Sequence, residues 1–319
     1  MNWDKKTLGE IYEIEGGTVQ TGPFGSQLHE SDYKEFGIPV IMPKDIKNDK
    51  LDLSNISFIS DDDAKRLSQH IVKKDDIVCP RRGEIGKRIL IDEANIGAFC
   101  GTGCIRLRGA GTILNQLFFF YFLKQPKVVK WIENQAIGAT MMNLNTSILK
   151  SIPIKYPPLP IQQKIASILS SYDELIENNK QRIKLLEEMA EEIYKEWFVR
   201  LRFPGYENTK IVDGLPDGWE RVKLDDYIKF EKGIEPGSDN YCNEKIDDNY
   251  IPFLRVGDLG SRDNSIFVQK DLLKGKILSK DDIAITLDGS VGLVAMNLSG
   301  GYSSGIRKIV YKNQKLKRS

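Results

Sequence analysis

The passage KKDDIVCPRRGEIGK, residues 73–87, carries two adjacent arginines on a stretch punctuated by glycines. Guanidinium groups so placed suit two tasks: gripping phosphate oxygens, or pairing bidentately with the acceptor edge of guanine. The passage recurs as SKDDIAITLDGSVGL, residues 279–293. Asp75, Asp76, Ile77, Gly83 and Gly86 fall over Asp281, Asp282, Ile283, Gly289 and Gly292, whereas Arg81, Arg82 and Glu84 become Leu287, Asp288 and Ser290. Retained glycines point to fixed backbone turns, and an aspartate in the changed set can accept from the amino group of cytosine. One frame presenting two sets of side chains suits the recognition of two different stretches of nucleic acid.

Lys44, Lys87 and Arg88 in the first copy, and Arg255 and Arg307 in the second, are the next candidate contacts. Each reads equally well as a solvated surface charge. Thr21, Phe24, Ser26 and Gln27 lie in the glycine-punctuated stretch TGPFGSQ, where small polar side chains can reach base edges and Phe24 reads as a loop anchor. Trp3 and Trp219 occupy matching positions in the two copies and read as core.

Patterns that would make this chain an enzyme fail on their residues. Amino-methyltransferases place Asn or Asp before Pro-Pro-aromatic, but Tyr156-Pro157-Pro158-Leu159 lacks both the polar and the aromatic residue. Its prolines stiffen the entry into the long glycine-free stretch that begins at Leu159. A phosphate loop needs G-x4-G-K-[ST], and the passage ending Gly86-Lys87 has Arg81 at the first glycine position and Arg88 at the hydroxyl position. A metal-dependent nuclease motif started at Pro216-Asp217 finds no downstream lysine with an acid two positions before it. Cys100 and Cys104 have no second pair to complete a zinc site, and the only histidines are His29 and His70. The four cysteines read as reduced thiols of a cytoplasmic protein. The N-terminus has no apolar core of a signal peptide, and the longest apolar run, LFFFYFL at 117–123, is too short to span a membrane. Net charge is +1, so any grip on phosphates rests on local basic positions or on a partner.

The elements that must position these residues form an α+β pattern. Besides the pair at 73–87 and 279–293, GIPVIMPKDI (37–46) matches YIPFLRVGDL (250–259), and GAFCGTGCIRLR (97–108) loosely matches GGYSSGIRKIVYK (300–312). Trp3 and Leu8 match Trp219 and Leu224, and the order of blocks is kept. IPVIM, DIVCP, RILI and CIRLR read as short strands, and SDDDAKRLSQ as a short helix. Between the copies, Ile161, Ile165, Ile168, Tyr172, Leu175, Ile176, Ile183, Leu186, Ile193 and Trp197 lie along an apolar stripe in a glycine-free stretch. That pattern predicts an amphipathic, coiled-coil-type helix over 159–198, roughly 55–60 Å long at the usual rise. Its stripe needs another helix to cover it, which predicts self-association through 159–198 in the absence of a partner. The expected organisation is a first β-rich domain at 1–155, a spacer helix at 156–200, a linker at 201–218 and a second, incomplete β-rich domain at 219–319.

Three passages resemble the specificity subunit of type I restriction–modification systems: TGPFGSQLHESDYKEFGIPVI (21–41), KKDDIVCPRRGEIGK, and ATMMNLNTSILKSIPIKYPPLPIQQKIASILSSYDELI (139–176). The resemblance covers essentially the whole chain but departs at the C-terminus, where the end of the second domain and its helix are absent. It implies a non-catalytic subunit in which two similar target-recognition domains, joined by the long helix, each read half of a split site in double-stranded DNA. It further implies that the helix docks DNA methyltransferase subunits, which engage the restriction subunits. S-adenosylmethionine, ATP and magnesium would be held by those partners and no cofactor by this chain. Isolated, the chain is expected to bind DNA weakly. The competing reading is an interaction scaffold or silent allele that dimerises or binds methyltransferase through the helix without reading DNA.

Overall fold

The computed structural model describes residues 3–84, 86–136, 143–261 and 266–312. The ATMM that opens the third resemblance passage, and Ile85 in the second, lie outside the described residues, as does the KLKRS terminus. The fold is mixed α+β and divides into two compact units, 1–193 and 194–319.

In the first unit the run IVCP at Ile77–Pro80 is buried on both faces and forms a central strand. It lies in an antiparallel sheet ordered Thr18–Thr21, Cys104–Arg108, Ile77–Pro80, Ile89–Leu90. A second sheet is ordered Phe99–Cys100, Ile38–Ile41, Ser57–Ile59, Tyr33–Lys34, with Phe99–Cys100 running parallel to Ile38–Ile41. Ile41, Val78, Ile89 and Cys100 share one buried cluster. The other face of the antiparallel sheet is covered by helices. Gln116–Leu123, apolar all round and capped by Asn115, buries Phe118, Phe119 and Phe120. Helix Leu8–Glu15 begins with a reciprocal Thr7/Glu10 capping box and buries Leu8 and Ile11 completely. Strand Asp4–Thr7 pairs antiparallel with Pro153–Tyr156.

The second unit repeats the antiparallel sheet and three strands of the mixed one, whose fourth strand, Ile277–Leu278, here lies on the opposite edge beside Gly300–Tyr302. Ile228–Lys232, Ile306–Tyr311, Ile283–Thr286 and Val294–Ala295 form the antiparallel sheet in the same order. Tyr250–Leu254 lies between Phe267–Gln269, antiparallel, and Gly300–Tyr302, parallel, as Ile38–Ile41 lies between Ser57–Ile59 and Phe99–Cys100. Register is kept: Pro39 faces Phe58, and Pro252 faces Phe267. The helical cover is not repeated among the described residues. Leu224, which matches the wholly buried Leu8, is 59% exposed, and Phe230 is exposed on the same sheet.

The matched tryptophans are not core. Trp3 and Trp219 are both exposed by more than a third, 39% and 38%. Within the second unit Trp219 stacks on Phe203 at 5.2 Å and lies 5.8 Å from Phe198.

The long helix runs Leu159–Tyr194 and ends in a π-helical turn, Lys195–Val199. Its first turns pack on the first unit through buried Gln162 and Ala166, with Ile161 and Ile165 half-buried. Further along, Lys50 pairs with Glu177 at 2.7 Å, and Tyr121 donates to Asp173 at 2.9 Å. Ile168, Tyr172, Leu175, Ile176, Ile183, Leu186, Ile193 and Trp197 are exposed, so the predicted stripe has only its start covered within this chain.

Candidate functional site

A concavity in the first unit is built by three backbone segments. Gly22, leaving strand Thr18–Thr21, donates its N–H to the Cys104 carbonyl at 2.9 Å. A Cβ at Gly22 would sit 2.0 Å from the Gly101 carbonyl oxygen, so only glycine allows this approach. Arg81 donates its N–H to the Gly103 carbonyl at 2.6 Å. Thr21, Pro23, Phe24, Arg81, Arg82 and Thr102 line the hollow.

The side chains predicted from sequence divide into two groups here. The Arg81 guanidinium lies 5.7 Å from the centre of the Phe24 ring and its Nε donates to Leu144 at 3.3 Å, which stacks and orients it. Arg82 is exposed and makes no side-chain ion pair or hydrogen bond among the described residues. Ser26 is exposed, while the Gln27 side chain accepts from Phe24 N–H at 3.2 Å and ties the loop. Glu84 pairs with Lys87 at 2.8 Å. Lys44 is exposed on the turn Pro43–Asp45, where Pro43 lies against Gly103. Arg88 is a correction: it is 6% exposed and donates to the Gly86 carbonyl, holding the end of the loop from inside. Burial pushes its pKa below the usual guanidinium range. It is not placed to touch a ligand.

The second unit builds the same hollow. Gly233 donates to Ile306 at 3.2 Å, and a Cβ there would meet the Ser303 carbonyl oxygen at 2.2 Å. Leu287 donates to the Gly305 carbonyl at 3.0 Å. Asp258 accepts from Arg255 N–H at 2.8 Å, as Asp45 accepts from Met42 N–H at 3.0 Å. These bonds equate Gly22 with Gly233, Arg81 with Leu287, Arg82 with Asp288, Thr102 with Ser304, Gly103 with Gly305 and Met42 with Arg255. Glu235 stands where Phe24 stands in the first unit and accepts from Ser304 N–H at 2.7 Å and Ser304 Oγ at 2.9 Å. Tyr241 donates to the other Glu235 oxygen at 3.3 Å. Asp288 and Ser290 are exposed. Arg307 is half-buried: it donates to the Ser304 and Ile306 carbonyls and lies 3.9 Å from Asp288, so it forms wall more than surface.

Sequence reading missed Glu235, Tyr241, Ser304, Met42 and Thr102. The signal for the first was present: KGIEPGS (232–238) repeats TGPFGS (21–26) with one inserted residue, Gly233 over Gly22.

Buried His70 packs 5.6 Å from Phe99. Burial, then the Arg106 charge, holds its pKa below the usual imidazole value. Cys79, Cys100 and Cys104 are buried, and burial pushes the first two thiols up to about 11 and about 12. Among the described residues no group of His, Cys, Asp and Glu is arranged to hold a metal ion, and no helix is long and apolar enough to cross a membrane.

A family model described as "Type I restriction modification DNA specificity domain" matches residues 1–188 and again 216–319. The type I restriction enzyme MjaIX specificity subunit of Methanocaldococcus jannaschii is 29% identical over 290 residues, covering 88% of this chain and 60% of that protein. The putative MjaX specificity subunit of the same organism is 24% identical over 304 residues, covering 91% of this chain and 68% of that one. The chain thus spans about three fifths of the length of the first of these relatives. Among solved structures, the type I restriction–modification S subunit from M. genitalium superposes with a TM-score of 0.56 at 20% identity, over 99% of this chain and 74% of that one. That likeness is one of fold. The two matches of the family model fall on the two copies found by internal repetition, and the chain belongs to the type I restriction–modification DNA specificity family.

Proposed function

We propose that this chain is a non-catalytic reader of double-stranded DNA in a type I restriction–modification complex. Each unit takes one half of a bipartite site in its hollow. The observation that carries this reading is the pair of hollows: the backbone hydrogen bonds of Gly22 and Arg81 recur at Gly233 and Leu287, and the side chains beside them differ. A frame repeated within one chain, with its lining exchanged, is what two half-sites of different sequence require.

The exposed stripe of the long helix docks methyltransferase subunits, and restriction subunits join indirectly through these. S-adenosylmethionine, ATP and magnesium belong to those partners. The net charge of +1 leaves much of the phosphate neutralisation to them as well, so the isolated chain binds DNA weakly and the methyltransferase strengthens binding. Without a partner, the stripe pairs two copies of the chain through residues 159–198.

Mapping methylated bases in cells carrying the methyltransferase, with and without this chain, tests the reading. Methylation of a split motif that depends on the chain supports it. An unchanged pattern supports a scaffold that does not read DNA. Sedimentation at micromolar concentration tests the helix: dimer in the wild type and monomer in Ile168→Asp/Ile176→Asp are expected, and a monomeric wild type refutes self-pairing.

A further inference from the structure

Resting on the proposal that each hollow takes one half-site, we infer that the two hollows read base edges of opposite polarity, with Arg82 taking guanine in one half-site and Asp288 taking an exocyclic amino group in the other.

The equivalence comes from hydrogen bonds and not from alignment alone. Arg81 and Leu287 make the same backbone bond to Gly103 and Gly305, so the next residues along the chain, Arg82 and Asp288, leave the frame at the same point. Both side chains are exposed. An exposed arginine there offers a donor fork matched to O6 and N7 of guanine. An aspartate offers only acceptors, matched to the cytosine N4 or adenine N6 amino group.

The neighbours of Asp288 have the same polarity. Ser304 Oγ and Tyr241 OH both spend their protons on Glu235. A hydroxyl whose proton is committed can only accept from a ligand. Phe24, the counterpart of Glu235, carries no acceptor and instead stacks under Arg81. At this pair of positions the first hollow therefore presents a donor fork and the second a cluster of acceptors. Two cations stand beside these acceptors: Arg307, 3.9 Å from Asp288, and Arg255, paired with Asp258 at 3.3 Å where the first unit has the neutral Met42.

The test uses the full chain assembled with its methyltransferase and DNA sequencing that reports methylated bases. Wild type, Arg82→Asp and Asp288→Arg are compared, with complex assembly and melting temperature as checks that these exposed positions leave the fold intact. Asp288→Arg is expected to move one base pair of one half-site from an amino-presenting base toward guanine, by roughly tenfold or more in preference, and to leave the other half-site unchanged. Arg82→Asp is expected to do the converse in the other half-site. A wild-type split motif that neither substitution alters overturns this assignment while DNA reading stands. A wild type that directs no motif overturns both.

Discussion

The side-chain carbonyl of Gln162 accepts the backbone N–H of Asn115 at 2.9 Å, deep in the first unit. The same amide donates to the carbonyls of Ile113 at 2.9 Å and Pro157 at 2.8 Å, and the residue is wholly buried. One neutral side chain thus satisfies three buried backbone groups and locks the start of the long helix to the loop that caps helix Gln116–Leu123. Removing it leaves those groups unpaired, at about 1–3 kcal/mol for each that water cannot reach. Gln162→Ala is expected to lower the first unit's stability by about 2–4 kcal/mol. Urea unfolding with helical signal as readout checks this, and a change below about 1 kcal/mol would contradict the role given to the amide.

Gly22 and Gly233 are needed for space. Neither has room for a methyl group against the carbonyls of Gly101 and Ser303. Alanine at either forces backbone to shift, at about 1–3 kcal/mol or more. Gly22→Ala should lower the melting temperature by several degrees, and Gly233→Ala should do the same in the second unit. Gly25→Ala, which meets nothing within 4 Å, should be near neutral. Equal melting temperatures for Gly22→Ala and Gly25→Ala would mean that space at Gly22 is not limiting.

His70 gives the first unit a pH dependence of known sign. Its folded pKa lies below the unfolded value of about 6.5 because burial disfavours the imidazolium. The unfolded chain therefore binds the proton first. The stabilisation is complete above the unfolded value and is lost as pH falls from there through the folded pKa. Denaturation midpoints of wild type and His70→Gln, compared from about pH 7.5 down to about pH 5, should converge as pH falls. A constant gap would mean that the imidazole does not titrate with unfolding.

Thiol chemistry should separate one cysteine from three. Cys79, Cys100 and Cys104 are buried with raised pKa values, so they offer little thiolate, while Cys242 is half-buried. Maleimide is expected to modify Cys242 alone in the native chain, with the other three reacting only in denaturant. Fast labelling of Cys100 without denaturant would show that the sheet-to-sheet core opens.

Much of the site was legible in the residues because repetition exposes constraint. Where Gly83 and Gly289 recur and their neighbours do not, the chain itself separates frame from lining. The strands at Ile77–Pro80 and Ile38–Ile41 come from β-branched content bounded by turn residues, and the helix at Leu159–Tyr194 from its apolar period, all local properties. Arg88 shows the limit. Next to Lys87 in a basic loop it reads as surface, yet it is buried, lining a small cavity with Cys79 and Leu149. Trp3 and Trp219 fail in the opposite sense, since large aromatic residues read as core and these are more than a third exposed.

What the sequence determined alone is the duplication, the β-branched strand runs, the helix period, the glycine-bound turns and the exchange of charged residues between copies. Only the tertiary structure decided which of those residues share a hollow, that Glu235 holds Ser304 and Tyr241, that Gln162 and Ala166 seat the helix, and that Leu8 is covered while Leu224 is not. The physical reason is that period and turn chemistry act over a few residues, whereas burial and hydrogen-bond partnership depend on segments tens of residues away that the fold brings against them.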